Sequence, residues 1–508
     1  MTVRNGRGAY LVSGPTTMTG FRRIEAYRRP TVTVVTEATY PVALGGVTTW
    51  VHRLIKYSPD VVFNVLCMTG QGRTEPVVEI PANVRDVVIQ EIVPKGNKLR
   101  RWLDRMTPAH CLRWSTVSKT LQIVFERMVE GEPLSEPMLK ELWKASKSPT
   151  NVLASSTMYE LARYVHYLAS QYEDECENNL FSDVFWVAVN VVSFVLGAAA
   201  GARRLPNCDV AHAQNSGVCG FLCSVAKAVR GVPFIITEHG ILLRELDMRL
   251  QGFGKTAREL FKECFRSMMF TSYEQCEEII EISDYHAELA LKQGAPEDKI
   301  KVIYSGIETW KYYPGDLERK YSEPEILEVG TITRIERVKG IDVLIEIAAR
   351  TVEHIDNVVF HVIGPVEDKA YYEKCRKLVK EYGLEDIVRF HGPCNPDEVV
   401  KWLRRFHVFL LPSRLEGLPM ALLEAMSCGC PVVASEVGAV PYIVDRNFGR
   451  TFRSEDADEA AKHLVRLLYD PELMFDMAHH AVERAKQYDV MRMCHNYFQE
   501  YYKYTGGD

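Results

Sequence analysis

The sequence contains no Cys-x-x-Cys pair, although cysteine itself is plentiful, with 13 among 508 residues. Cys219 and Cys223 stand four apart, and Cys428 and Cys430 flank one glycine. Neither pair joins a second one at zinc-finger spacing. A structural zinc module is therefore excluded, and buried, reduced thiols of a cytoplasmic protein are expected. An excess of basic residues is also missing. Lys plus Arg is 61 and Asp plus Glu is 67, so 61 − 67 gives a net charge of −6, and a dedicated nucleic-acid binder is disfavoured. Gly at 32 and Pro at 24 are near average, which excludes collagen-like and low-complexity classes. Hydrophobic residues at 47% and charged residues at 25% rule out a mostly disordered chain and a polytopic membrane protein.

Several catalytic motifs are absent too. There is no HExxH and no GxSxG. GFGKT (252–256) is no P-loop, because Arg249 stands where its first glycine is required and no strand precedes it. His479 and His480 lie in a polar helical stretch with no paired ligand. After the first strand the glycines read LGGVTTW rather than GxGxxG, which argues against a dinucleotide-dependent oxidoreductase.

Residues 1–30 form a basic tail, with Arg4, Arg7, Arg22, Arg23, Arg28 and Arg29 against Glu25 alone. No apolar region follows these charges, so the tail is not a secretory signal. A partly disordered segment is expected, with contact to an anionic membrane surface as the sharper alternative. Val184–Ala202 is free of charge and long enough for a membrane span. A buried helix is expected instead, because a span here would separate the motifs before it from those after it.

From residue 31 the pattern is strand, glycine turn, helix. TVTVVTEATYP (31–41) is rich in β-branched residues, ALGGV (43–47) is a turn, and TTWVHRLIKYS (48–58) places Trp50, Val51, Leu54 and Ile55 on one helical face. DVVFNVLCM (60–68) is a further strand, and two more strand-like runs reach Val93. Residues 98–200 read as a helical insertion. The strand–helix rhythm returns with DVAHA (209–213), PFIITEH (233–239), EEIIEIS (277–283) and KIKVIYS (299–305). A polar stretch with Tyr and Pro, residues 308–324, reads as a linker. A second series follows in EILEVG (325–330), VVFHVIG (358–364), IVRFHG (387–392), HVFLLPS (407–413) and PVVASEV (431–437). Strands alternating with helices imply parallel, doubly wound sheets. The expected fold is α/β, with two Rossmann-like lobes facing a cleft and a helical insertion in the first. Ligands of such sheets bind beyond the carboxyl ends of the strands.

Three constellations stand at strand ends. In RLEGLPMALLEAMSCGCPVVAS (414–435), Glu416 and Glu424 are separated by seven residues. Gly417 allows close backbone approach beside Leu418, Pro419 suits a first helical position, and Glu424 falls in the second helical turn. A helix N-terminus offers free N–H groups and a positive dipole end for phosphate, and the carboxylates suit sugar and ribose hydroxyls. In VGTITRIERVKGIDVLI (329–345), Arg334 and Lys339 follow a strand and precede a helix, where two cations can cradle a departing diphosphate. Gly45 and Gly46 open a helix after the first strand, and His239 ends the strand of ITEHG.

The block carrying Glu416 and Glu424, together with the Arg334/Lys339 pair, resembles the retaining, nucleotide-sugar-dependent GT-B glycosyltransferases of family four. The resemblance covers residues 31–505. A narrower one lies in TEATYPVALGGVTTWVHRLI (36–55), AHAQNSGVCGFLCSVAKA (211–228) and ITEHGILLRELDMRL (236–250), which are similar to the PelF branch, the cytoplasmic transferases of Pel exopolysaccharide synthesis. The insertion and the closing segment 487–502 fit that branch. The resemblance implies a first, acceptor-side lobe over 31–312, a nucleotide-sugar lobe over 313–486, and a C-terminal helix over 487–508 that crosses back to the first lobe. It further implies that Arg334 and Lys339 bind the diphosphate and that Glu424 bonds the ribose. Glu416 would hold the transferred sugar beside Gly417 and Leu418, Gly45 and Gly46 would face the phosphates, and His239 would contact the sugar near the reacting carbon. Two positions depart from the pattern. Ser305 stands where these families often carry Asn, and YPVALGG lacks a Tyr or Arg close to Gly45.

The implied activity is hexosyl or hexosaminyl transfer, with retention, from a UDP-sugar of the UDP-glucose type to a glycan or oligosaccharide acceptor. No cofactor and no metal is expected, the UDP-sugar being the donor substrate. A cytoplasmic location is expected, with a membrane synthase partner and peripheral contact at the inner face of the membrane as further expectations. A UDP-hexosamine 2-epimerase and a non-catalytic nucleotide-sugar scaffold are the rival readings. The epimerase would form an epimer without acceptor, and the scaffold would bind without turnover.

Overall fold

The computed structural model describes residues 28–70, 75–91, 119–147, 181–240, 255–322 and 324–506. The chain divides into two compact units, Met1–Ile280 with His495–Asp508, and Glu281–Cys494. The first sheet comprises β1 (Thr31–Glu37), β2 (Val62–Thr69), β3 (Val84–Glu91), β4 (Val210–Ala213), β5 (Phe234–Glu238), β6 (Glu278–Glu281) and β7 (Ile300–Val302). Their order is β3-β2-β1-β4-β5-β6-β7, and β1 pairs in parallel with both β2 and β4. A parallel strand covered on both faces needs apolar side chains on both. Val32, Val34 and Val35 of β1 are accordingly fully buried. Of the two buried threonines in the same strand, Thr36 is satisfied locally, donating its hydroxyl to the Tyr40 carbonyl at 2.6 Å. Of the two strand-like runs expected before Val93, the described residues hold one, β3. The segment VVEI forms no strand; it lies between Pro76 and Pro81, which remove ladder donors at either end.

Within the expected insertion, the described helices are Lys119–Val129, Glu136–Ala145 and Phe181–Gly201; residues 98–118 and 148–180 lie outside the described residues, as do residues 1–27 of the basic tail and 252–254 of GFGKT. The uncharged run beginning at Val184 falls on the last of these helices, where Ala188, Val189, Val192, Val195, Leu196 and Ala199 are buried. No helix among the described residues is long and apolar enough to cross a membrane. The described cysteines carry free thiols, and burial pushes those of Cys219, Cys223 and Cys264 upward in pKa.

The second sheet comprises β8 (Leu327–Ile332), β9 (Val358–Ile363), β10 (Val388–Gly392), β11 (Val408–Leu411), β12 (Val432–Ser435) and β13 (Gly449–Phe452). Their order is β10-β9-β8-β11-β12-β13. β13 was not expected, because GRTF offers one large apolar residue and no alternation. It forms because β12 supplies a complete partner, from Val432 opposite Gly449 to Ser435 opposite Phe452. Side chains on this sheet alternate between two apolar layers. Val408, Leu410 and Val433 join Ile341, Leu344, Leu464 and Met474 on one face. Phe409, Leu411 and Val432 join Leu422, Met426 and Ile443 on the other. Each such fully buried side chain contributes about 1.5–3 kcal/mol. Helices cover both faces, as a doubly wound sheet requires.

The closing helix, Val490–Tyr502, places Tyr497 and Tyr501 one turn apart, both fully buried. The Tyr501 hydroxyl is hydrogen-bonded to His212 Nδ1 at 2.7 Å, His212 Nε2 to the Thr237 hydroxyl at 2.7 Å, and that hydroxyl to Tyr497 at 2.9 Å. Burial, and then the neighbouring His239, pull the His212 pKa down to about 3. In the second unit, His407 accepts from the Glu328 N–H and donates to the Lys320 carbonyl, and burial holds it at about 4.

These histidines are neutral when folded and titrate near 6.5 when unfolded. Between those values the unfolded chain binds more protons, so stability rises with pH. The expected outcome is full stability above about pH 6.5 and a loss, as pH falls toward 4, of about 1.4 kcal/mol per pH unit for each histidine. Urea unfolding at several pH values checks this, and a flat profile from pH 6.5 to 5 would contradict it.

Candidate functional site

Both sheets reverse their winding at one point, between β1 and β4 in the first and between β8 and β11 in the second. Such switch points open a crevice at the strands' carboxyl ends. Gly45 and Gly46 follow β1, Arg334 and Lys339 follow β8, and Glu416 follows β11, while His239 follows β5, one strand beyond the first sheet's reversal.

In the second lobe, the chain leaving β8 bends through Arg334 and a short turn, Arg337–Lys339, before the helix Ile341–Thr351. The chain leaving β11 runs through Ser413, Arg414 and Glu416 to the helix Met420–Ser427. Backbone bonds tie the two segments, the Arg414 N–H donating to the Val338 carbonyl at 2.8 Å. Arg414 adds side-chain bonds, donating to the Arg337 carbonyl and to Asp342 Oδ1, each at 2.8 Å, and to Glu455 at 2.7 Å. Burial alone would raise the Asp342 pKa, but bonds from Arg414 and Tyr371, with Arg414's charge and Lys374, hold it at about 2. Asp342 is thus a fixed anion that locks Arg414 in place.

On this frame Lys339 and Glu416 meet. Lys339 Nζ donates to Glu416 Oε1 at 2.8 Å, and the Ser413 hydroxyl donates to the same oxygen at 2.6 Å. The lysine side chain is 16% exposed and the glutamate 8%, so the pair is largely shielded from solvent and its Coulomb energy is weakly screened. The Glu416–Gly417 loop is held from the other side by the Ala439 N–H, which donates to the Gly417 carbonyl at 2.9 Å. Gly438 turns there with φ +58°, and a Cβ on it would stand 2.2 Å from the Glu416 carbonyl oxygen.

The remaining second-lobe residues lie nearby in the chain but not in this contact. Arg334 is 58% exposed and pairs with Glu336 at 2.8 Å. Glu424 is half-buried in the second turn of the helix Met420–Ser427. Pro419, expected as the first helical residue, is the N-cap instead, with ψ at 93°. Leu418 precedes it, half-buried, within the loop.

In the first lobe, Gly45 is the N-cap and Gly46 the first residue of the helix Gly46–Lys56. Among the described residues nothing lies within 4 Å of where a Cβ would stand on either, so packing against those residues does not explain these glycines. Trp50 of the same helix is buried and meets the His239 ring edge-on at 4.6 Å. His239 Nε2 donates to Gln214 Oε1 at 2.9 Å, Gln214 standing at the end of β4. Among the described residues, no group of three or more His, Cys, Asp and Glu side chains is placed to hold a metal ion.

Sequence reading missed Ser413, Arg414, Asp342 and Gln214. Only Arg414 left a signal, as the cation two places before Glu416. Asp342 and Gln214 become visible through long-range contacts, and Ser413 through its bond to Glu416 three places on.

Comparison with known proteins places this geometry. Residues 318–488 match the family described as Glycosyl transferases group 1. A D-inositol 3-phosphate glycosyltransferase of Streptomyces bingchenggensis is 30% identical over 210 residues, 38% of this chain and 46% of that protein. A putative colanic acid biosynthesis glycosyltransferase of Escherichia coli, WcaL, is 29% identical over 241 residues, 45% of this chain and 57% of the relative. The chain thus spans about half the length of these curated relatives. Among solved structures, Anabaena Alr3699/HepE in complex with UDP matches with a TM-score of 0.58 at 14% identity, over 92% of this chain and 99% of that one. The same protein with UDP-glucose gives a TM-score of 0.55. The two-lobed fold is therefore that of the GT-B group. Residues 30–298, more than half of the chain, match the family described as Domain of unknown function (DUF3492), and the chain belongs to that family.

Proposed function

We propose that the chain is a retaining glycosyltransferase of the PelF-like branch, transferring a hexose or hexosamine from a UDP-sugar of the UDP-glucose type to a glycan acceptor in exopolysaccharide synthesis. The observation that carries this reading is the meeting of Lys339, Glu416 and Ser413 at the second lobe's switch point, beside the helix that bears Glu424. A structural neighbour with UDP and UDP-glucose bound supports a nucleotide-sugar donor. A relative named for colanic acid biosynthesis supports a polysaccharide product.

In this reading Arg334 and Lys339 receive the diphosphate and Glu424 the ribose. Glu416, with the backbone of Gly417 and Leu418, takes the sugar. Gly45, Gly46 and His239 keep the roles the resemblance implies. The bond from the sugar's anomeric carbon to the phosphate oxygen breaks, and a bond from the acceptor oxygen forms on the same face. The acceptor's proton passes to the leaving phosphate. Negative charge grows on that phosphate, so cations and the helix N-terminus placed beforehand stabilise the transition state more than the ground state. They supply the charge that a metal would otherwise bring.

Calorimetric titration with EDTA present, against UDP, GDP, ADP and the matching glucose and hexosamine conjugates, tests the reading. Selective UDP and UDP-sugar binding is expected. Absence of binding to all of them would overturn it.

A further inference from the structure

A buried imidazole stands directly behind the Glu416–Gly417 loop. His286 belongs to the helix Asp284–Lys292, and only 3% of it is exposed. A Cβ built on Gly417 would meet His286 Nε2 at 3.1 Å and Cε1 at 3.3 Å. The ring edge thus fills the space a side chain at 417 would need.

The other side of the ring is anchored. Ser283, the N-cap of that helix and fully buried, accepts the His286 backbone N–H at 3.3 Å. Its hydroxyl lies 2.7 Å from His286 Nδ1. A buried hydroxyl proton needs an acceptor, and Nδ1 is the one at hand, so the imidazole proton resides on Nε2, the atom facing Gly417. Among the described residues Nε2 has no hydrogen-bond partner. Tyr285 packs edge-on against the ring at 5.5 Å, leaving it little freedom to turn. Burial favours the neutral ring, so no charge is set against the Glu416 carboxylate at neutral pH.

We propose that His286 is a positioning residue for the sugar-binding part of this site, its ring edge fixing Gly417 so that the Glu416 carboxylate and the peptide groups of Gly417 and Leu418 hold one arrangement toward the transferred sugar. The inference rests on the transferase reading above. It assigns the second lobe's sugar contacts a wall from a helix that lies far away in sequence and carries none of the motif. The nucleotide contacts, Arg334, Lys339 and Glu424, lie outside the loop that His286 braces.

The test compares UDP and UDP-glucose affinities of the full chain by calorimetry. His286→Ala should weaken UDP-glucose by about tenfold, the effect of about 1.4 kcal/mol, while UDP changes by less than about threefold. Global destabilisation would weaken both ligands alike, so the ratio reports positioning. Gly417→Ala should reproduce the sugar-selective loss, because its Cβ presses on the ring. The double variant should be no worse than the worse single one. Equal losses for both ligands, no loss, or additive losses in the double variant would overturn the inference while leaving the transferase reading intact. Wild-type protein binding neither ligand would overturn both.

Discussion

Lys339→Ala should lower donor turnover, measured as UDP release from UDP-glucose, by about 10²-fold or more. The estimate follows from losing one preorganised electrostatic contact at a developing negative charge. The structure adds a second consequence. Among the described residues, Lys339 and Ser413 are the two donors to Glu416 Oε1. Removing the lysine leaves a carboxylate that is 8% exposed with one neutral partner. A hydrogen bond to a charged group contributes roughly 1.5–3 kcal/mol, so the Glu416 side chain should loosen. Lys339→Ala and Glu416→Ala are therefore expected to be non-additive in turnover, since each disables part of the other's role. Near-normal turnover in Lys339→Ala would remove the leaving-group assignment. Strict additivity would mean that the ion pair seen here has no part in the working site.

Gly340→Ala should be one of the most damaging conservative changes in the second lobe. Gly340 links the Lys339 turn to the following helix at φ +64°, and a Cβ there would stand 2.0 Å from the Pro412 carbonyl oxygen. The left-handed conformation alone costs a non-glycine residue of order 1–3 kcal/mol. The clash cannot be relieved by a side-chain rotation, because the opposing atom is backbone. Either the turn bearing Lys339 or the segment bearing Glu416 must move. The expected result is a fall in thermal midpoint of roughly 5–10 °C together with loss of UDP-glucose binding. Lys339→Ala, by contrast, should lose turnover with a smaller stability change. A Gly340→Ala protein with wild-type melting and binding would show that the two segments are not rigidly coupled.

Arg414 explains why such coupling is expected. A single guanidinium bonds the Arg337 carbonyl, Asp342 and Glu455, so three separate stretches of the chain share one planar, always-charged group. Motif reading attends to residues that meet substrate, and Arg414 instead meets other residues of the protein. The same holds for Asp342, which looks like an ordinary acidic residue in the first turn of a helix until Arg414, Tyr371 and Lys374 are found around it.

Strand existence was mostly legible, because a parallel strand buried on both faces must be continuously apolar. VFLL and VVAS cannot be much else when flanked by turn residues and helices. The failures are short and instructive. GRTF has too little apolar content to signal a strand and becomes β13 only through β12. VVEI has the content but lies between prolines. Glycines at special positions were partly legible as well. Gly417 drew notice within its motif, whereas Gly340 and Gly438 gain their meaning from Pro412 and Glu416, carbonyl groups that sequence spacing does not bring near.

By itself, then, the sequence determined the strand–glycine–helix rhythm, its occurrence in two series, and the chemical types gathered at strand ends: two cations, two carboxylates, three glycines and a histidine. These are local properties, set by side-chain periodicity and by what each strand terminus must do with its free backbone groups. Only the tertiary structure decided the strand orders, hence where each sheet reverses. It also decided that Lys339 pairs with Glu416 across 77 positions, that His212 reaches Tyr501 across 289, and that His286 closes against Gly417. Contacts at such separations arise from how helices cover a sheet, and that depends on the packing of all the apolar faces together rather than on any one segment.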